Sequence, residues 1–297
     1  MVSAHAVRVD YLRGHCCAVQ IGYVVIMMEP QAAFGDLLRA WRQRRRISQL
    51  DLSVEAEISQ RHLSFVESGR SVPSRDMVLR LSEHLEVPLR ERNQLLTAAG
   101  YAAVYPMRPL TDASLVMARA AIDQVIAAHM PHPALAVDRH WTLVTANAAL
   151  GPLLDGVAAT LLEPPVNVLR LSLHPDGLAA RIENFTEWRT HVLARLHRQI
   201  AVTSDAVLIK LLDELRHYSA PVRAARPPQR DTDMFGGVFV PLRLRVGRET
   251  LSFLGTTTVF GTPLEITLSE IAIESFFPAD AATAAAMQRL AVSNAGG

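Results

Sequence analysis

Cysteine is almost absent from this 297-residue sequence: Cys16 and Cys17 are the only two, and they are adjacent. Neighbouring cysteines rarely bridge each other, so no disulfide framework is available and a reducing cytoplasm is the expected setting. Lysine is scarcer still. Lys210 stands alone, and the other 29 basic residues are arginine, which fits the codon bias of a GC-rich genome better than any demand for arginine geometry. Net charge is also small. At +1 it exerts no global pull on nucleic acid, so any basic surface has to be local. Long apolar runs are missing too. Cys16–Met28 is mostly apolar but only thirteen residues long with a glutamine inside, too short to span a bilayer, and no small-residue cleavage site follows. No membrane partner is therefore expected. Residues 1–26 read as sequence upstream of a true start at Met27 or Met28, and residues 1–30 as a disordered leader; a membrane tether is the competing reading. There is no His-Glu-x-x-His, no pair of spaced cysteine ligands and no Gly-x-Ser-x-Gly. No catalytic residue, metal or obligate cofactor is expected.

What is present suits about two domains with real cores, since half the residues are hydrophobic and a fifth charged. From Gln31 to Arg108 twelve arginines face nine acidic residues, a modest local excess. Phe34, Leu37, Leu38 and Trp41 have the spacing of a core-facing helical stripe, ending in the basic run Arg42-Gln43-Arg44-Arg45-Arg46. Ser48 reads as an N-cap with Asp51 as its acidic partner three residues on. Two short helices follow, packed through Leu52, Ala56, Leu63 and Val66, with Gly69 as a C-cap. Pro73-Ser74 opens a fourth helix with Met77, Leu79, Leu81 and Leu85 inward, and Pro88 to Ala98 supplies a fifth. Residues 31–108 thus form an all-α five-helix domain, with Tyr101 to Pro109 as linker.

The helix pair within Ser48–Glu67 is suited to DNA. Gln49 begins its first helix, where an amide and free N–H groups grip a phosphate. Ser59 caps the second helix, so Gln60 and Arg61 lie in the first turn, the part that enters a major groove. Gln pairs with adenine and Arg with guanine through bidentate bonds, each worth about 1–3 kcal/mol of discrimination. Ser64 lies one turn on, an exposed Phe65 can meet a thymine methyl, and Arg70 and Arg75 are placed for backbone or minor-groove contact. The competing reading is a plain helical hairpin with a solvated polar face.

The order Arg42, Ser48-Gln49, Ser59-Gln60-Arg61, Glu67-Ser68-Gly69-Arg70, Pro73-Ser74 resembles the phage-repressor and Xre class of helix-turn-helix proteins. That resemblance implies a buried structural ion pair between Arg42 and Glu67. It departs from the pattern at Ser53, where Ala is usual, and at Glu57, where Gly is usual and a positive φ is expected.

Residues 109–297 have a mixed texture. A helix near Ala113 to Ala128 precedes a hairpin of Ala134–Val137 and Trp141–Thr145, then a helix capped by Asn147. Helices are expected near Leu178–Gln199 and Ala206–Tyr218, a loose Pro- and Arg-rich loop over Pro221–Asp233, and strands at Val238–Val246 and Leu251–Thr258. A helix from Ala281 to Leu290 closes the chain. Strands at both ends with helices between point to an α+β domain with a curved antiparallel sheet. The strings Asp138-Arg139-His140-Trp141, Asn167-Val168-Leu169-Arg170-Leu171, Leu173-His174-Pro175, Glu187-Trp188-Arg189-Thr190-His191, Thr256-Thr257-Thr258-Val259-Phe260-Gly261-Thr262-Pro263 and Ser275-Phe276-Phe277-Pro278, behind an Xre-type front end, resemble the bacterial MmyB-like transcription regulators. The resemblance implies a PAS-like domain that senses a small apolar molecule, such as a fatty acid or a furan-type autoregulator.

Such a pocket needs apolar walls and a few polar groups. Trp188 and Phe260 are candidate walls, with Trp141, Phe253 and Phe276. Arg170, Arg189, His174 and His191 are candidate cationic or donor groups, and Asn147, Thr257 and Thr258 neutral ones. Arg189 is first choice for a carboxylate because its planar fork matches one. Core or sheet-surface duty is the competing role for each. Glu187 and His191, four apart with His197 beyond, keep open a catalytic second domain. The expectation is a cytoplasmic, nucleoid-associated homodimer on a palindromic double-stranded operator; a constitutive DNA-binding protein whose second domain only dimerises or recruits a partner is the alternative.

Overall fold

The structure, a computed structural model, describes residues 33–221, 239–261 and 264–295. The leader expected at 1–30, the loop expected over Pro221–Asp233 beyond its first residue, Val238 and the Thr262-Pro263 pair lie outside the described residues.

Five helices come first: α1 Phe34–Arg45, α2 Gln49–Glu55, α3 Gln60–Glu67, α4 Arg75–His84 and α5 Leu89–Ala98. Serines set three of their starts. Ser48 accepts from the Asp51 N–H in a full capping box, Ser59 from His62 and Ser74 from Met77, satisfying amides that the helix leaves orphaned. Arginines close the other ends. Arg45 donates to the carbonyls of Leu85 and Glu86, and Arg80 to that of Ala56. Phe34, Leu38, Trp41, Leu52, Leu63, Val66, Val78, Leu81, Leu85, Leu95 and Leu96 form one core. The α4 stripe runs through Val78, Leu81 and Leu85, one turn apart, which leaves Met77 and Leu79 half-buried rather than inward as the sequence suggested. In the α2–α3 turn Glu57 has φ 52, a left-handed conformation costing about 1–2 kcal/mol relative to glycine. Helices α1 and α3 touch at Gly35, where a Cβ would stand 2.4 Å from the Glu67 carbonyl oxygen.

The segment from Tyr101 to Pro109 is strapped down at both ends. The Asn93 carboxamide accepts from the N–H groups of Val104 and Tyr105 and donates to the Tyr105 carbonyl, and the Arg108 N–H donates to Glu265 at 2.7 Å.

Beyond it come α6 Val116–Ala128, β1 Ala134–Val137, β2 Leu143–Ala146, α7 Ala159–Leu162, α8 Val168–Leu173, α9 Phe185–Thr203, α10 Ala206–His217, β3 Leu242–Val246, β4 Glu249–Val259, α11 Ile266–Ser269, β5 Ala272–Pro278 and α12 Ala281–Ala295. The strands form one antiparallel sheet in the order β2-β1-β5-β4-β3. Its central strand, β5, escaped the sequence reading, as did α8. One face of the sheet packs Leu135, Val137, Leu251 and Phe253 against Leu169, Leu173, Phe185, Leu196, Leu211 and Leu215 from α8, α9 and α10. The other packs Ala134, Ala136 and Ile273 against Ile122 and Ile126 of α6. Trp141 is not in a strand. It occupies a turn at φ 67, where the Asp138 carboxylate accepts from the N–H groups of His140 and Thr142.

Candidate DNA-reading surface and ligand groove

The serine cap on α3 leaves Gln60 and Arg61 exposed in its first turn. Phe65, expected to be exposed, is half-buried instead. The guanidinium of Arg61 lies 5.3 Å from its ring centre and that of Arg70 5.9 Å, so the ring meets two cations rather than facing solvent alone. Ser64 is half-buried beside them, and Arg75 is exposed at the start of α4. Gln49 is committed differently from its sequence reading: its side-chain Nε2 donates to Glu67 at 2.8 Å.

Glu67 is the hub beneath this surface. Arg42 donates to both its carboxylate oxygens, at 2.6 and 2.9 Å, and Arg39 to its backbone carbonyl at 3.0 Å. Burial pushes the Glu67 pKa up, but the bonds from Arg42 and Gln49 outweigh it and hold the carboxyl below its ordinary range. Arg42, Arg45 and Arg80 are thus structural, while Arg61, Arg70 and Arg75 face outward.

The nine residues proposed from sequence for the ligand do not share one site. Asn147 stands at the N-cap position of a short 3-10 helix, Ala148–Leu154, but its side chain makes no capping bond; its amide instead ties the carbonyls of Ile126 and His132 to the Ala134 N–H. Arg170 forms a two-pronged pair with Glu214, which also accepts from Tyr218, and His174 meets the Tyr218 ring edge-on at 4.9 Å. Arg189 donates to the carbonyls of Leu215 and Arg216, closing the C-terminal end of α10 instead of awaiting a carboxylate. Thr257 pairs across the sheet with Glu274 and Thr258 with Ile273. Because side chains alternate along a strand, the two threonines face opposite ways, and Phe260 packs on the α6 side with Ile273.

His191 and Thr257 do come together. They line an open groove of about 670 Å³ between α9 and β4, with Arg195, Arg198, Gln199, Val202, Thr203 and Gly255. The α9 members recur at the spacing of one helix face, starting from His191; that period was the signal by which Arg195, Arg198 and Gln199 could have been found. Trp188 stacks on His191 at 5.7 Å and is fixed through its indole N–H to Ser172. Arg195 donates to both oxygens of buried Glu274 and to Thr257, and lies 4.5 Å from the Trp141 ring. Arg198 has no such partner among the described residues. Burial lowers the His191 pKa, with Arg195 and Arg198 adding to the effect, which favours the neutral imidazole.

From this groove a polar chain leads to the helical domain. Trp141 donates to Gln199, and Gln199 to the Arg139 carbonyl. Arg139 binds Asp205 and, at 3.1 Å, Glu270. Glu270 in turn takes both prongs of Arg90 on α5, at 2.7 and 2.8 Å.

Among the described residues, no cluster of His, Cys, Asp or Glu could hold a metal ion, and no helix is long and apolar enough to cross a membrane. A family model for a helix-turn-helix domain matches residues 33–95, and one for the MmyB-like transcription regulator ligand binding domain matches residues 118–290, more than half the chain. No curated protein matches the sequence. The pairing of a DNA-binding helix-turn-helix with a ligand-binding domain is that of a transcription regulator rather than an enzyme, and this chain belongs to the MmyB-like transcription regulators.

Proposed function

We propose that the protein is a homodimeric, ligand-responsive regulator that reads an operator with the first turn of α3. The carrying observation is the exposed Gln60-Arg61 pair on a capped helix, with the guanidinium groups of Arg61 and Arg70 both near the Phe65 ring, 5.3 and 5.9 Å from its centre. Gln60 and Arg61 meet base edges. Arg70, Arg75 and the start of α2 meet phosphates. Such a protein works in the cytoplasm, on the nucleoid. Its domains divide at residues 31–108 and 109–297. The strand order 2-1-5-4-3 supports a PAS-like reading of the second.

The ligand is a small amphipathic acid, fatty-acid-like or furan-type, in the groove between α9 and β4. Its carboxylate meets Arg198 and Arg195, and its apolar part lies along Val202, Gly255 and Trp188. The chain from Gln199 through Arg139 and Glu270 to Arg90 carries its presence to α5. One observation favours the alternative, a constitutive DNA-binding protein: the charge of Arg195 is already matched by Glu274. Titration with dodecanoate, read by tryptophan fluorescence and by operator affinity, separates the two. The proposal expects both signals to saturate together and both to weaken about tenfold in Arg198→Ala. Saturable binding with no change in operator affinity supports the alternative.

A further inference from the structure

Helix α6 has an outer face that its own fold does not use. Of its thirteen residues only Arg119, Asp123 and Gln124 are polar, yet only Ile122 and Ile126 are buried, against the sheet. Val116 is 58% exposed and Met117 80%; Ala120, Gln124 and Ala127 are exposed as well. Ala120, Gln124 and Ala127 follow one another along the side away from the sheet, with Met117 at one edge, Val116 and Asp123 at the other, and Arg119 on the flank beyond Asp123. A helix that is mostly apolar on both sides is ordinarily covered on both.

Resting on the homodimer reading above, we infer that the outer face of α6 is the dimer interface, packed against the same helix of a second copy. Charge identifies the occupant. Arg119 and Asp123 are exposed, and neither forms an ion pair among the described residues. They lie two residues to either side of Ala121, near the middle of the helix. An antiparallel pairing about a two-fold axis there sets Arg119 opposite Asp123 of the partner subunit, and Asp123 opposite the partner's Arg119. A self-complementary patch of this kind is what an isologous two-fold contact requires. The small side chain of Ala120 lets the two helices approach closely, and Met117 closes the edge.

Light scattering of the full chain over a concentration series tests this, with circular dichroism as the check on folding. The wild type is expected to run at twice its 32.6 kDa. Ala120→Arg is expected to weaken dimerisation at least about tenfold while the helical signal stays unchanged. Arg119→Asp and Asp123→Arg are each expected to weaken it about threefold to fivefold, and the double exchange to restore it. A dimeric wild type with Ala120→Arg equally dimeric overturns the α6 interface and leaves the homodimer standing. A wild type that is monomeric at all concentrations and on operator DNA overturns both.

Discussion

Glu67 has no exposed side-chain surface, and it stays charged only because Arg42 and Gln49 direct three donors at its carboxylate. Removing one member of such a pair leaves the other buried and unmatched. Glu67→Ala should therefore cost about 3–5 kcal/mol in urea unfolding. The same bonds set a pH dependence. Because the folded pKa lies below its ordinary value of 4.5, the stabilisation is complete above that pH. It is lost as pH falls through the lower folded value. Gln49 supports this brace as well as the DNA surface, so Gln49→Ala should weaken operator binding without changing base preference.

Helices α1 and α3 can approach only because residue 35 has no side chain. Gly35→Ala forces a Cβ against the Glu67 carbonyl and should cost about 1–3 kcal/mol by thermal or urea unfolding, despite alanine's better helix propensity. A result at or above wild-type stability would mean that the two helices part without penalty. Local signals made the helical domain legible: serine caps, the Leu38–Trp41 stripe and the Gly69 C-cap are all written within a few residues of where they act. The second domain was legible only in outline. Strand β5 is covered on both faces, so Ala272, Glu274 and Phe276 go to one core and Ile273 to the other, and no clean alternation survives in the sequence. Site residues were harder still, because partners decide them. Arg189 looks free until α10 brings the Leu215 and Arg216 carbonyls to it from more than 25 residues away. Thr257 and Thr258 look like one site until strand geometry parts them.

Across the molecule, the two halves meet through charge. Arg90 comes from the helical domain, Glu270 from the loop before β5, Arg139 from the β1–β2 turn, and Asp205 from the N-cap of α10. Burial works against the charge on Asp205, yet hydrogen bonds from His140, the Val207 N–H and Arg139 pull its pKa from 3.8 to about 2. Its stabilisation is thus complete above about pH 4 and disappears as pH falls toward 2, and Asp205→Asn should flatten the acid limb of a stability profile over that window. Glu270→Gln keeps the shape and removes the charge between Arg90 and Arg139. If ligand occupancy reaches α5 by this route, the variant should still bind dodecanoate but lose most of its effect on operator affinity; an undiminished effect would place the coupling elsewhere. The most direct test of the account as a whole is selection from random-sequence duplex DNA with the wild type and with Arg61→Ala. The account predicts that the wild type recovers a site of two inverted half-sites, and that Arg61→Ala recovers the same spacing with preference lost at one position in each half. The same motif, read equally well by both proteins, would contradict it.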